Sequence, residues 1–243
     1  MSKLSIIPMQ TVEINIPGAV MTYLMEFDKM DSIGGYFWLI DGAEKKILVD
    51  AGGGAEWLVS HGFPAKQVAM PEDLLSNVGL KPEDIDLVIV THLMGDHIEY
   101  ARKYINAKII VQSKELDWAL KTHPVQGALY PNEFLEGLKF TTVDGDVEII
   151  DGVRVMLTPG HSPGGQSVAV ETEKGVAVIT GFCCIQKNLQ PPEEIRKDHP
   201  LIVPGIHVNT VELWDSMQRV MACADIPIAL HDAKWGKMGK IPS

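Results

Sequence analysis

Two apolar runs near the start of the chain, "YFWLIDG" at 36–42 and "KKILVDAGGG" at 45–54, flank the turn-forming stretch Asp41-Gly42-Ala43-Glu44. Together they predict a β-hairpin, and the first quarter of the chain reads as strands. The second run ends in Asp50, followed by three glycines in four residues. Glycine there permits unusual φ and lets the backbone approach a neighbour closely. "PEDLLSNVGL" (71–80) puts Leu74, Leu75 and Val78 on one helical face, with Pro71 at its start and Gly79 as its stop. A buried strand from Leu87 to Val90 then delivers Thr91 and His92 at its C-terminal end. A short helix over 97–105, a strand over 107–113 and a helix over 114–122 continue the alternation. That pattern predicts helices packed on a sheet. Over 123–139, Pro124, Gly127, Pro131 and Gly137 predict a loop region that could serve as a lid. Strands return at 140–150, 153–159 and 166–180, the last turning at Glu173-Lys174-Gly175. Residues 185–206 read as irregular. A helix from about Thr210 to Cys223 follows, with Leu213, Trp214, Met217, Val220 and Met221 as its apolar face. "IPIALHDA" (226–233) closes as a strand ending in His231.

Composition narrows the class of protein. The 243 residues are 46% hydrophobic and 22% charged, enough to bury a large core. Residues 1–243 are expected to form a single domain. The formal charge of −11, with no Lys/Arg-rich stripe, argues against a nucleic-acid partner. No stretch approaches a membrane span, and the first residues show no secretory signal pattern. Three cysteines, two of them adjacent (Cys183 and Cys184), do not make a disulfide framework. A reduced, cytoplasmic protein acting on a small molecule is the expectation. A homo-oligomer is left open.

The chemistry collects at strand ends. His92, His161 and His231 each follow an apolar run, and "VTHLMGDHIEY" (90–100) adds Asp96 and His97. Imidazole and carboxylate are ligands for zinc, iron and manganese, and polar residues gathered at strand ends are how a layered fold builds a site. The midpoint of the motif, where another polar ligand would be expected, is Met94.

"THLMGDH", "TPGHSPGGQS" and the terminal "ALHDA" resemble the motifs of the metallo-β-lactamase superfamily. "ILVDAGGG" is similar to its N-terminal strand pair and aspartate. Within it, the chain most resembles N-acyl-homoserine lactone lactonases, best around "GVRVMLTPGHSPGGQSVAVET". The resemblance implies an α/β fold, a four-layer αβ/βα sandwich with the metal cleft at one edge. It also implies two ligand sets. The first would take His92, the Met94 position and His161; the second would take Asp96, His97 and His231. The carboxylate that bridges two metals in the family falls here on Phe182, and a tyrosine of the lactonases falls on Ile185. A thioether is a poor ligand for zinc, manganese or ferrous iron. The expectation is therefore one divalent ion, zinc or manganese before iron, at Asp96, His97 and His231.

A single metal-bound hydroxide would then open a lactone, ester or amide of a small, cyclic substrate. Asp96 would hold the ion, while His92 and His161 would act as general base or oxyanion stabiliser. Asp50 would orient a ligand histidine from behind. Met94, Phe182 and Cys183 would line the substrate space, and a register shift could make a cysteine a ligand. The Ile185 departure argues against acyl-homoserine lactones themselves. Two other readings share the same residues. With iron, two histidines and a carboxylate make the facial triad of a non-haem dioxygenase; without metal, the chain would be a binding protein.

Overall fold

The structure, a computed structural model, describes residues 4–242. The first sheet takes β1 (Ser5–Pro17), β2 (Met30–Asp41), β3 (Ile47–Val49), β4 (Ala65–Gln67), β5 (Leu87–Ile89), β6 (Lys108–Gln112) and β7 (Phe140–Val143), in the order β4-β1-β2-β3-β5-β6-β7. The second takes β8 (Val147–Ile150), β9 (Val153–Leu157), β10 (Gln166–Thr172), β11 (Gly175–Ile179) and β12 (Ile226–Ile228), in the order β12-β11-β10-β9-β8. Helices α1 (Gly18–Met21), α2 (Ala55–Ser60), α3 (Pro71–Ser76), α4 (Gly95–Ile98), α5 (Ser113–Leu120) and α6 (Asn132–Leu135) belong to the first half. The second half carries α7 (Gln186–Leu189), α8 (Glu193–Arg196) and α9 (Thr210–Cys223).

Alternation along the strands builds the layers. Trp38, Ile40, Ile47, Val49 and Ile89 point inward and meet Val155, Val168, Val170 and Ile179 of the second sheet. Their neighbours Phe37, Leu39, Leu48 and Val88 point outward, onto Leu75, Ile98, Ala119 and Leu135 of the helical layer. On the far side Met156, Ala169 and Val178 pack against Leu213, Met217 and Val220 of α9. The result is the four-layer αβ/βα sandwich. Each fully buried aliphatic side chain of this kind contributes about 1.5–3 kcal/mol by leaving water.

Three expectations are revised. Residues 140–150 are two strands in different sheets, because Gly145 sits at φ 72° and turns the chain between them. The helix expected over 97–105 is the short α4 followed by a 3-10 stretch from Glu99 to Lys103. The hairpin at 36–54 belongs to a larger unit: β1 pairs with β2 along nearly its whole length, with an irregularity between Gln10 and Val12.

Candidate metal centre

The ends of β5, β9 and β12 come together at one edge of the sandwich. His92 follows β5 by three residues, His161 follows β9 by four and His231 follows β12 by three. Gln166 ties the two sheets here: its N–H donates to Thr91 O (2.9 Å), and its side-chain amide donates to Val90 O (2.8 Å). Nothing in the sequence pattern singles Gln166 out for this.

The donors are turned inward by what holds their other ends. His231 Nδ1 lies 2.9 Å from Gly34 O, and His161 Nδ1 lies 2.8 Å from Ile206 O. A carbonyl only accepts, so each Nδ1 carries the proton and each Nε2 keeps its lone pair. His97 Nδ1 donates to Asp50 Oδ2 at 2.8 Å, which directs its Nε2 the same way. Asp50 is fully buried, and its other oxygen accepts the Thr91 N–H at 2.7 Å. It achieves this at φ 62°, a left-handed conformation that costs a non-glycine residue about 1–3 kcal/mol.

Donor atoms of Asp96, His97 and His231 all lie within 4.8 Å of one another. His97 Nε2 is 3.2 Å from Asp96 Oδ2, yet it is buried without a hydrogen bond. An imidazole and a carboxylate crowded together at a nearly buried corner leave a place for a cation, and two histidines with one carboxylate suit zinc, manganese or iron. Without an ion His97 and Asp96 hold each other as a charged pair, whose proton a cation would displace. Burial alone would keep His97 neutral, but Asp96 and Asp50 on either side push it up to about 10. Burial opposes the Asp96 charge, and the His97 imidazole more than offsets it, leaving the carboxyl below the usual range. The donor set therefore fits a divalent ion.

The other two histidines lie alongside. His92 Nε2 and His161 Nε2 are 3.1 Å apart, and the His92 ring sits 4.0 Å from that of His97. Burial lowers both, with the neighbouring imidazoles adding to it; His161 falls to about 4. Met94 and Cys183 line the cavity with these residues. Burial, with Asp96 adding, pushes the Cys183 thiol well up. Phe182 does not reach the cavity. Fully buried, it packs outward into the α9 layer with Met156 and Leu213, because an all-carbon ring gains more there than beside charges. His123 accepts from Val125 N in its own loop, His199 lines a separate surface cavity, and His207 contacts Pro204 O and Thr210.

Glu115 was not among the residues the motifs indicate, since within α5 it reads as one more helical acid. It is fully buried. Oε1 accepts Leu93 N–H at 2.9 Å and the Tyr130 hydroxyl at 3.2 Å, while Oε2 accepts Gly164 N–H at 3.2 Å. It thus braces the loop after His92 against the loop after His161. Glu115→Gln would set an amide N–H against a backbone N–H, and is expected to cost about 1–3 kcal/mol in urea unfolding. Burial raises the Glu115 carboxyl above its ordinary value. Between the ordinary glutamate value and the raised one the native state holds a proton that the unfolded chain has released, and this share of stability is lost as pH rises through that window. The glutamine variant should lack that slope.

Residues 32–181 match the family model of the metallo-beta-lactamase superfamily. The chain belongs to this superfamily. Among curated proteins it is 35% identical over 155 residues to an N-acyl homoserine lactonase of Bacillus sp., 58% of this chain and 60% of that protein. It is 27% identical over 183 residues to the N-acyl homoserine lactonase AttM of Rhizobium radiobacter, 70% of this chain and 67% of that protein. The match thus spans about three fifths of the Bacillus relative's length. Among solved structures, a Bacillus thuringiensis AiiA mutant with N-decanoyl-L-homoserine bound at the active site superposes with a TM-score of 0.79, 25% identity and coverage of 98% of this chain and 96% of that one. The dizinc quorum-quenching lactonase AidC superposes at 0.66 with 17% identity, over 90% of this chain and 83% of that one.

Proposed function

We propose that this protein is a metal-dependent hydrolase that opens a lactone, ester or amide bond of a small, cyclic substrate. One divalent ion would be held by Asp96, His97 and His231. The observation that carries the reading is the His97 Nε2 atom, buried and unpartnered beside a carboxylate. The lactonases among its relatives support the reaction class.

When bound, such an ion acidifies a water and polarises a carbonyl. The chain's own residues do the rest. Asp50 holds His97 in one tautomer and orientation, as groups behind a metal ligand do. His92 and His161 are placed to take a proton from the attacking water and return it to the leaving oxygen. The cavity beside them is walled by aliphatic and aromatic side chains that would hold the body of the substrate. The single ion is supported by Met94 at one ligand position of the family pattern and by Phe182, turned away, at the bridging one. Because the cavity draws on both halves of the chain, residues 1–243 are read as one domain.

Metal analysis of the purified protein, paired with a lactone-hydrolysis assay, tests this. About one zinc or manganese per chain and metal-dependent ring opening are expected. Two tightly held ions per chain would overturn the single-site reading; one ferrous iron with oxygen consumption would overturn hydrolysis.

A further inference from the structure

The cavity has one polar end. Asp96 and the four histidines occupy it. Away from that end the walls are aliphatic and aromatic, the indole N–H of Trp57 being a buried donor without a partner among the described residues. Ile14 and Ile33, paired across β1 and β2, form one side with Ile16. Trp57 and Leu58 of α2, with Phe63 just beyond, form the other. Gly95 allows this arrangement, since a β-carbon there would lie 2.5 Å from the Trp57 ring, which packs on the metal loop itself. Positions where a polar group could have met the substrate are filled by Met94 and Cys183.

We infer that the substrate is a neutral lactone or ester whose body beyond the reacting carbonyl is plain hydrocarbon, with no amide or charge beside the ring. This rests on the hydrolase reading above. An amide carried into these walls would give up its water with only the Trp57 N–H as a replacement donor, and its own N–H would face aliphatic and aromatic side chains. Apolar pockets reject an added polar group by about a hundredfold at most, so the discrimination expected lies between about tenfold and a hundredfold. The hydrocarbon body, by contrast, leaves water for a surface of matching character.

A matched pair of five-membered lactones isolates the amide: α-heptyl-γ-butyrolactone and N-hexanoyl-L-homoserine lactone, each with seven chain atoms on the ring. With the metal-loaded protein, kcat/KM should favour the alkyl lactone by about tenfold or more, mainly through KM. Equal or better turnover of the amide compound would overturn the inference. Should neither be hydrolysed, the lactone form of the hydrolase reading fails, and calorimetric binding of the two intact lactones decides the substrate class alone. Tighter binding of the alkyl lactone by about tenfold supports it; equal or reversed affinities overturn it. Phe63→Gln, on a half-buried wall position clear of the ligands, should shrink the preference several-fold with metal content unchanged. A preference that survives this variant intact would place the selection elsewhere and count against the inference.

Discussion

His231→Ala is expected to empty the metal site and abolish hydrolysis with it. His231 contributes one of three donors, and its Nε2 is aimed at the cluster by the Nδ1 contact to Gly34 O. Losing a group that merely orients a ligand weakens metal binding by about 10–100-fold; losing the ligand should cost more. Two donors, Asp96 and His97, would remain, 3.2 Å apart. The pocket left by the ring is buried, so folding must be checked separately by circular dichroism. Equilibrium dialysis against zinc reads the effect, and added imidazole should restore part of it by filling the same space. Wild-type zinc affinity in a folded His231→Ala protein would remove His231 from the ligand set and the single-ion assignment with it.

How far the site could be read in advance depended on whether a residue's direction is set locally. Three apolar runs each ending in a histidine pointed to one site, since a layered fold gathers polar residues at strand ends; that β5 belongs to one sheet and β9 and β12 to the other became visible only in the fold. Asp50 was also legible, from its place between an apolar run and glycines. Phe182 was not. It lies three residues past β11, and its direction is set by the approach of Gly181 to Gln166, where a β-carbon would be 2.0 Å from Gln166 O. Only the folded chain contains that constraint. Glu115 was illegible for a related reason, two of its three partners being backbone N–H groups more than 20 residues away. The fold was legible in its layers and blurred at its joints. Val12, Ile14 and Ile16 alternate with Glu13 and Asn15 as a half-buried strand should, so β1 could have been found directly. The change of sheet between β7 and β8 could not: Asp144-Gly145-Asp146 signals a turn without saying which sheet the chain enters next.

The glycines after Asp50 lead to the second large effect. Gly53 lies against the metal loop so closely that a β-carbon there would be 2.4 Å from Asp96 Cα and 2.9 Å from its carbonyl oxygen. Both are backbone atoms, so no side-chain rotation can relieve the clash. The surrounding strand end is laced to the same loop: Ala51 N–H donates to His97 O at 2.8 Å, and Gly54 N–H to Glu99 Oε2 at 2.6 Å. Gly53→Ala must therefore push Asp96 away or break this lacing. Overpacking of this kind costs about 1–3 kcal/mol in stability. Its effect on the ion should be larger, because ligand distances tolerate only about 0.2 Å. A loss of zinc affinity comparable to that of removing an orienting group, about 10–100-fold, is expected in a protein that still folds. Gly127→Ala is the control: its β-carbon meets nothing within 4 Å, and it should leave both stability and metal binding near wild type. If Gly53→Ala lowers the unfolding midpoint but binds zinc normally, the contact supports the fold without positioning Asp96. If zinc affinity falls while Gly127→Ala is silent, the glycine run is part of what holds the carboxylate in place.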